Sequence, residues 1–549
     1  MRMMPTSSEA DRWRVAPGVT WRKRFGSPVL GWLLVAAGLT GCTSLPKPGP
    51  EWSVRHPVDT KNTTWARTLA PAEAEHPDSS GVELLRYGHD ALAARVALAD
   101  TAERSLDLQY YTWKPDATGQ LLAERMIQAA DRGVRVRLLL DDIGGSAPDD
   151  ALLALDRHTN IEVRLFNPVA SRTFRMLSML FDFQRVSRRM HNKSFTVDDS
   201  VTIVGGRNVE ERYYAFGEEP HFADFDVLAV GPAVGEVAPM FDRYWYSPVS
   251  IPVSALIKKQ FSPEQLAEIY ARLAAHVEAI TNSPDFETLA KNEMGAEVRR
   301  RELTLAWGPT WLVCDLPEKI TTDVNDTSTH LAPKLRQVAD ATTNDLVIVS
   351  PYFVPGPKGV EFLRSLRKRG VRVVVLSNSL AANDVTAVHV GYRRYRKPLL
   401  YSGVEMWEIK PDVRVRAASQ EGRASRKPGG KTSRSALHAK TFFFDHQTFF
   451  VGSLNLDPHS MVLNTEMGLV IGIPELAGPT VDSIEAQLPQ KAYRLEFIPG
   501  PGPCKECGRI RWHSLENGKD VVYKHEPQAT FSQRLLVSLL SFLPIESQL

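Results

Sequence analysis

The chain has no surplus of charge of either sign: 66 Lys and Arg stand against 64 Asp and Glu, a net charge of +2 over 549 residues. A whole-molecule field that would gather polyanions is thereby excluded, and any pull on an anionic partner has to come from local clusters. Cysteine is scarce, four in all. Cys504 and Cys507, between Pro503 and Gly508, suit a small disulfide in an exported protein. A zinc module would need two further ligands, and His513 and His525 fall at no customary zinc spacing. Cys314 reads as a buried core residue. A nucleotide-binding P-loop is missing as well, because Gly430, Lys431 and Thr432 are preceded by Ser425 where that loop needs Gly. What is present is an ordinary globular composition, 43% hydrophobic and 24% charged, long enough for two or more units.

Arg22, Lys23 and Arg24 precede an apolar run from Pro28 to Gly38 that is too short to span a bilayer comfortably. A basic segment followed by a short apolar one is the pattern of an export signal. It ends in Leu39, Thr40, Gly41 and Cys42, similar to the lipobox of bacterial lipoproteins, in which Cys42 would be acylated and become the mature N-terminus. Two or three acyl chains there would hold the protein stably at a membrane. Residues 1–41 are therefore expected to be a lipoprotein signal peptide and 42–80, without sustained periodicity, a tether of little structure.

The body of the chain is organised around a stretch that occurs twice. In the first copy His191, Lys193, Asp198, Gly205 and Asn208 stand at the same mutual offsets as His438, Lys440, Asp445, Gly452 and Asn455 in the second. Chance agreement at all five positions has odds on the order of one in ten thousand, so the chain reads as an internal duplication. The flanks agree: Gly-Val-Arg-Val recurs at 133–136 and 370–373. The first is preceded by a helix from Leu84 to Ala102, a strand from Ser105 to Trp113 and a helix from Gly119 to Arg132. The second follows a strand from Asp345 and a helix from Gly359 to Arg369, giving βαβ signatures in both halves. Each motif reads as a β-hairpin with His and Lys on one face. The pattern predicts a first half at 81–248, a helical insertion at 249–300, a second half at 301–495 and a tail at 496–549.

Two His, two Lys and two Asn meeting between the halves suit one chemistry. Neutral His is a nucleophile or base and protonated His an acid, while Lys and Asn offer charge and hydrogen bonds to the oxygens of a phosphodiester. Lys is not a usual metal ligand and two His fill too few positions, so the set points to metal-free phosphoryl transfer through a phosphohistidine.

His-x-Lys-x4-Asp followed by Gly-Gly/Ser-x-x-Asn, twice, resembles the phospholipase D superfamily. Arg189 to Phe195, Phe222 to Asp226, Arg396 to Leu400 and Ser453 to Pro458 are similar to the bacterial cardiolipin synthases, most of all the C type. The resemblance implies a duplicated α/β fold, two pseudo-twofold-related halves with mixed sheets flanked by helices, and one shared site. It implies phosphatidyl transfer that makes cardiolipin from phosphatidylglycerol and either a second phosphatidylglycerol or phosphatidylethanolamine, with no cofactor or metal and no nucleic acid partner. By the same resemblance His191 and His438 are the nucleophile and acid/base pair in either order. Lys193, Lys440, Asn208 and Asn455 hold the phosphate, and Asp198 and Asp445 are motif acids of the catalytic set that mainly brace the local fold. Glu466 and Asp226, or Asp224, orient the imidazoles. Gly206 stands where Ser453 stands in the second copy, which makes the two sides of the site unequal.

The segment from Arg172 to Arg189, basic and apolar together, and the tail helix from Phe531 to Leu543 are each expected to lie on the core or on a phospholipid surface. Arg414 to Arg434 reads as a basic loop over the second motif. A phospholipase D-type hydrolase, acting on lipid or as a secreted nuclease, is the alternative activity; a scaffold would be expected to have lost a Lys or His from one copy. The expected location is the bacterial cell envelope, lipid-anchored and facing the periplasm, at the inner or the outer membrane.

Overall fold

A glycine with φ of +90° sits at the same place in both halves, Gly133 and Gly370, in backbone that only glycine enters cheaply. Each ends a helix and turns the chain back into a strand parallel to the one before it. In the first half Ser105–Tyr110, Ala117–Asp131 and Arg135–Asp141 form this unit; in the second, Asp345–Val349, Gly356–Lys368 and Arg372–Asn378 do. The structure is a computed structural model that describes residues 45–49, 58–144, 147–217, 220–383, 385–411, 436–500 and 507–541, without the side chains of 177, 178 and 180.

The motif hairpins form as the pattern predicts, from Ser194–Val197 with Val201–Gly205 and from Lys440–Phe444 with Thr448–Gly452. Both turn through two residues of positive φ, Asp198 and Asp199 in one and Asp445 and His446 in the other. Such turns match the right-handed twist of paired strands, and Asp and His tolerate them better than branched residues do.

Eight strands of each sheet correspond in order and in sense. The first sheet runs Ser80–Leu85, Asp226–Val230, Val201–Gly205, Ser194–Val197, Ser105–Tyr110, Arg135–Asp141, Ile161–Phe166, Ser250–Pro252. The second runs Thr310–Cys314, Met467–Ile471, Thr448–Gly452, Lys440–Phe444, Asp345–Val349, Arg372–Asn378, Glu405–Ile409, Ala492–Ile498. The fold is α/β and duplicated. One apolar cluster joins the halves, with Met190, Val204 and Val227 from the first packed against Val349, Phe443 and Leu469 from the second. Fully burying each such side chain contributes roughly 1.5–3 kcal/mol.

Several expectations are corrected. The stretch expected as a tether contains a helix, Thr64–Glu75, whose Trp65 is fully buried and donates from Nε1 to Thr101 Oγ1. The helix expected from Leu84 begins at Gly88 instead, because Ser80–Leu85 pairs with Asp226–Val230 as a strand. The helices at 263–300 are no bridge: Val277, Leu289 and Val298 belong to the core of the first half. The first sheet also takes a strand from beyond residue 300, Ala306–Gly308. Nor is the region after 496 an appendage, since Arg509–Glu516 and Lys519–Tyr523 extend the second sheet to ten strands. Cys314 is free and buried as expected; Cys507 is held in a disulfide, and Cys504, Cys42 and the basic stretch 414–434 lie outside the described residues.

Candidate active site

Each half delivers its His just ahead of a hairpin strand, on an extended segment that the other half holds. Thr465 N–H donates to Arg189 C=O and His191 N–H to Thr465 C=O, both at 2.8 Å. On the other side Phe222–Ala223 pairs with Ala436–Leu437, and His438 N–H donates to Ala223 C=O at 2.7 Å. The side chains follow the same crossing. His191 Nδ1 lies 2.8 Å from Glu466 Oε2, and His438 Nδ1 lies 2.6 Å from Asp224 Oδ2. A carboxylate on Nδ1 fixes the ring's orientation and leaves Nε2 as the reactive nitrogen.

The pair Asp224 and Asp226 is thereby resolved, and Asp226 does not orient a His. It opens a strand of the first sheet, accepts from Arg95 NH2 at 2.8 Å and lies 3.4 Å from Arg207 NH1, all three fully buried. Two glycines make room for the two acids. A Cβ on Gly205 would stand 2.1 Å from Asp226 Oδ1, and one on Gly206 would stand 2.2 Å from Asp224 Oδ1. In the second copy Ser453 fills the place of Gly206, and its hydroxyl donates to the longer Glu466. The inequality expected from Gly206 thus comes from space for an acid and not only from a missing hydroxyl.

Lys193 Nζ donates to His191 C=O at 2.6 Å, and Lys440 Nζ lies 3.0 Å from His438 Nε2. Two tyrosines complete the floor. Tyr111 meets His191 edge-on with ring centroids 5.0 Å apart; the Tyr213 hydroxyl reaches to 3.3 Å from His438 Nε2 and accepts from Asn208 Nδ2 at 3.0 Å. Asn208 therefore faces a phenol, with its Oδ1 taken by Thr112 N–H, whereas among the described residues Asn455 Oδ1 has no hydrogen-bond partner. Neither tyrosine is marked by spacing in the sequence; Tyr213 lies five residues past the motif Asn in the first copy alone.

Residues 96–245 and 335–487 match the family described as cardiolipin synthase, PLD-like domain. The chain is 41% identical over 486 residues to cardiolipin synthase C of Escherichia coli K12, covering 88% of this chain and 98% of that protein. The chain belongs to the cardiolipin synthase, PLD-like family. Cardiolipin synthase B of the same organism is 23% identical over 395 residues, 72% of this chain and 77% of that one. Among solved structures, phosphatidylserine synthase of Haemophilus influenzae Rd KW20 shares the fold, with a TM-score of 0.50 at 14% identity over 78% of this chain and 91% of that one.

In this family member the two imidazole–carboxylate pairs differ electrostatically. Burial, with the charges of Lys193, Lys440 and His438, pushes His191 well below its ordinary range, and burial lifts Glu466 to about 7 against the pull of Lys193. Burial works to raise Asp224 too, but His438, Lys440 and Arg207 outweigh it and hold that carboxyl well below the usual carboxylate range. Lys193 is brought down to about 7 by burial, with Lys440 adding to the effect. Among the described residues no group of three or more His, Cys, Asp and Glu is placed to share a metal ion.

Asp198 and Asp445, expected in the catalytic set, touch neither imidazole. Asp198 accepts from the N–H groups of Glu103, Arg104 and Ser105, and Asp445 from those of Thr343, Asn344 and Asp345. Each clips the hairpin turn to the start of the neighbouring antiparallel strand. Hydrogen bonds to a charged acceptor contribute about 1.5–3 kcal/mol each before overlap, so Asp198→Ala is expected to lose about 3 kcal/mol of stability. The half-exposed Asp445 loses less. Thermal unfolding checks the first figure; turnover per folded molecule should stay within about twofold of the parent, whereas an acid of the reaction would cost far more.

The segment leading to His191 is basic and apolar as expected, yet its arginines are engaged within the protein. Arg172 and Arg175 pair with Asp142, and Arg188 donates to Thr322 C=O. Arg189 is buried on Asp141, which also accepts from Met190 N–H and so sets the approach to His191. Phe174, Met176, Phe181 and Phe183 remain exposed. Among the described residues no helix is long and apolar enough to cross a membrane.

Proposed function

We propose that this chain transfers a phosphatidyl group between phospholipids through a phosphohistidine, and that it makes cardiolipin from phosphatidylglycerol with a second phosphatidylglycerol or phosphatidylethanolamine as donor. The observation that carries the reading is the crossed pairing of two buried imidazoles with carboxylates of the opposite half, with two buried lysines alongside. It stands in a chain so similar in sequence to cardiolipin synthase C over nearly its whole length.

His191, kept neutral, attacks phosphorus through Nε2. The bond from phosphorus to the donor's headgroup oxygen breaks, and His438, whose imidazolium the ionised Asp224 stabilises, gives that oxygen its proton. Glycerol or ethanolamine leaves. A hydroxyl of phosphatidylglycerol then enters, gives its proton to His438 and attacks phosphorus, and the bond to His191 breaks. Lys193, Lys440 and Asn455 stabilise the charge that builds on the nonbridging oxygens. Water in place of the second lipid would give phosphatidic acid. Acylation of Cys42 would hold the enzyme at the envelope, facing the periplasm.

Incubation of purified protein with labelled phosphatidylglycerol vesicles, with and without phosphatidylethanolamine, tests the reading. Labelled cardiolipin is the expected product; phosphatidic acid alone would assign a hydrolase. The pH profile follows from Glu466. Its carboxylate accepts the Nδ1 proton of His191 at 2.8 Å, with the Ser453 carbonyl at 3.2 Å from the same nitrogen, so protonation removes the stronger acceptor and weakens the nucleophile. The rate is expected to rise with pH toward about 7 as Glu466 ionises and to fall above it as Lys193 loses its charge, and Glu466→Gln to lose the rising limb along with most of its turnover. An unchanged limb in that variant would assign it to another group.

A further inference from the structure

Helix Phe531–Leu540 is built on a capping box from Thr530 and Gln533 and is fixed at its base by Glu526, which accepts from Arg396 at 2.7 Å and lies 3.2 Å from His389. One side packs inward, with Val537 buried against Leu380 and Val390. The opposite stripe is apolar and faces water: Phe531 is 80% exposed, and Leu535, Leu536 and Leu539 follow at helical spacing with 48%, 45% and 59%. Alongside, helix Thr386–Tyr401 presents Arg393, Arg394 and Lys397 to solvent, and Arg394 donates to Ser541 C=O at the end of the apolar helix.

Arg394 also lines a cavity of about 550 Å³ between helices Gly356–Lys368 and Thr386–Tyr401, together with Arg364, Lys368, Tyr395, Val360 and one acid, Glu361. These helices pack on the face of the second sheet that carries Val373, Val375 and Phe442. The seam with the catalytic histidines is on the other face, with Val374 and Phe443. The patch is therefore separate from the site of reaction.

We propose that the helix Phe531–Leu540 and the basic groove beside it form a bilayer-docking surface, the apolar stripe entering the acyl region and the groove taking an anionic glycerophosphate headgroup. The inference rests on the phospholipid reading above, but its test needs no turnover. Charge decides between occupants. A second copy placed on this face by twofold symmetry would bring Arg393, Arg394 and Lys397 against their own counterparts, whereas an anionic lipid surface meets both the apolar stripe and the cations.

The test uses the full chain with Leu535→Cys carrying an environment-sensitive nitrobenzoxadiazole label, and the unsubstituted protein treated identically as blank. Every protein in the test also carries Cys42→Ser, because an acyl chain there would tether the protein to any vesicle whatever the helix does. On phosphatidylethanolamine vesicles with about one-third phosphatidylglycerol the emission is expected to shift blue and rise about threefold, and on phosphatidylcholine to stay as in water. Arg364→Gln, Lys368→Gln and Arg394→Gln together should raise the half-saturating lipid concentration about tenfold, with an unchanged thermal midpoint as the measure of folding. Three results overturn the proposal: water-like emission on the anionic vesicles, equal binding by the triple variant, or a signal that grows with protein concentration in the absence of lipid. Should no cardiolipin form in the labelled-lipid assay, these results still read the docking surface by itself.

Discussion

His191→Ala is expected to lower turnover by at least about 10⁴-fold, both on phosphatidylglycerol and on a phosphodiester with a nitrophenol leaving group. Among the described residues, Lys193 is turned to a backbone carbonyl, and the ionised Asp224, 2.6 Å from His438, favours that ring's charged form, which is no nucleophile. His438→Ala is expected to match this loss on the natural donor only. Nitrophenol leaves without a proton, so the first half of the reaction survives and the phosphatidyl-enzyme accumulates. Equal responses of the two variants to the leaving group would reverse or erase the division of roles. If either variant kept about half of the parent's turnover, each half would be acting alone.

The second large effect lies in the crossed carboxylates. Asp224→Ala, in the first half, should disable His438 of the second, and turnover is expected to fall by about 10²–10³-fold because the ring loses its orientation and the partner of its charged form. The coupling is checked by a double-mutant cycle. Asp224→Ala added to His438→Ala should cost almost nothing further, whereas added to Glu466→Ala it should deepen the loss. Asp226→Ala behaves differently: it strands Arg95 and Arg207 without their buried counter-ion, which costs about 3–5 kcal/mol of stability. A folded Asp226→Ala protein with a selective loss of turnover, beside an active Asp224→Ala, would interchange the two acids.

How far this arrangement is legible in the sequence depends on the range of the interaction that decides each part. The hairpins are local: an alternating run, two residues able to take positive φ and a second run specify them, and both form where expected. The βαβ units are local too, marked by Gly133 and Gly370. The choice between Asp224 and Asp226 is not, because both lie in the same five residues and only the space above Gly205 and Gly206 separates them. The contacts that hold His191 and His438 join residues 275 and 214 positions apart, and no periodicity records such a pairing.

Other expectations fail because a tertiary partner outweighs a local pattern. Leu84, Leu85 and the alanines that follow read as one helix, yet Ser80–Leu85 is claimed by an antiparallel neighbour from residues 226–230. Trp65 in the expected tether finds a buried site that its composition does not announce. The segment ahead of His191 suits the core or a phospholipid surface equally in sequence, and its arginines are taken up by Asp142, Asp141 and backbone carbonyls in the fold. The tail helix, equally ambiguous in sequence, is the one whose apolar stripe faces water beside exposed cations.

The central claim is that two halves make one site, with a single nucleophile. Single-turnover reaction with phosphatidylglycerol labelled at phosphorus, quenched in alkali where a phosphohistidine survives, and followed by peptide mapping, tests it most directly. The expected result is at most one phosphatidyl group per chain, carried by the His191 peptide and absent from His191→Ala. Two groups per chain, or label divided between the His191 and His438 peptides, would mean that the halves react independently.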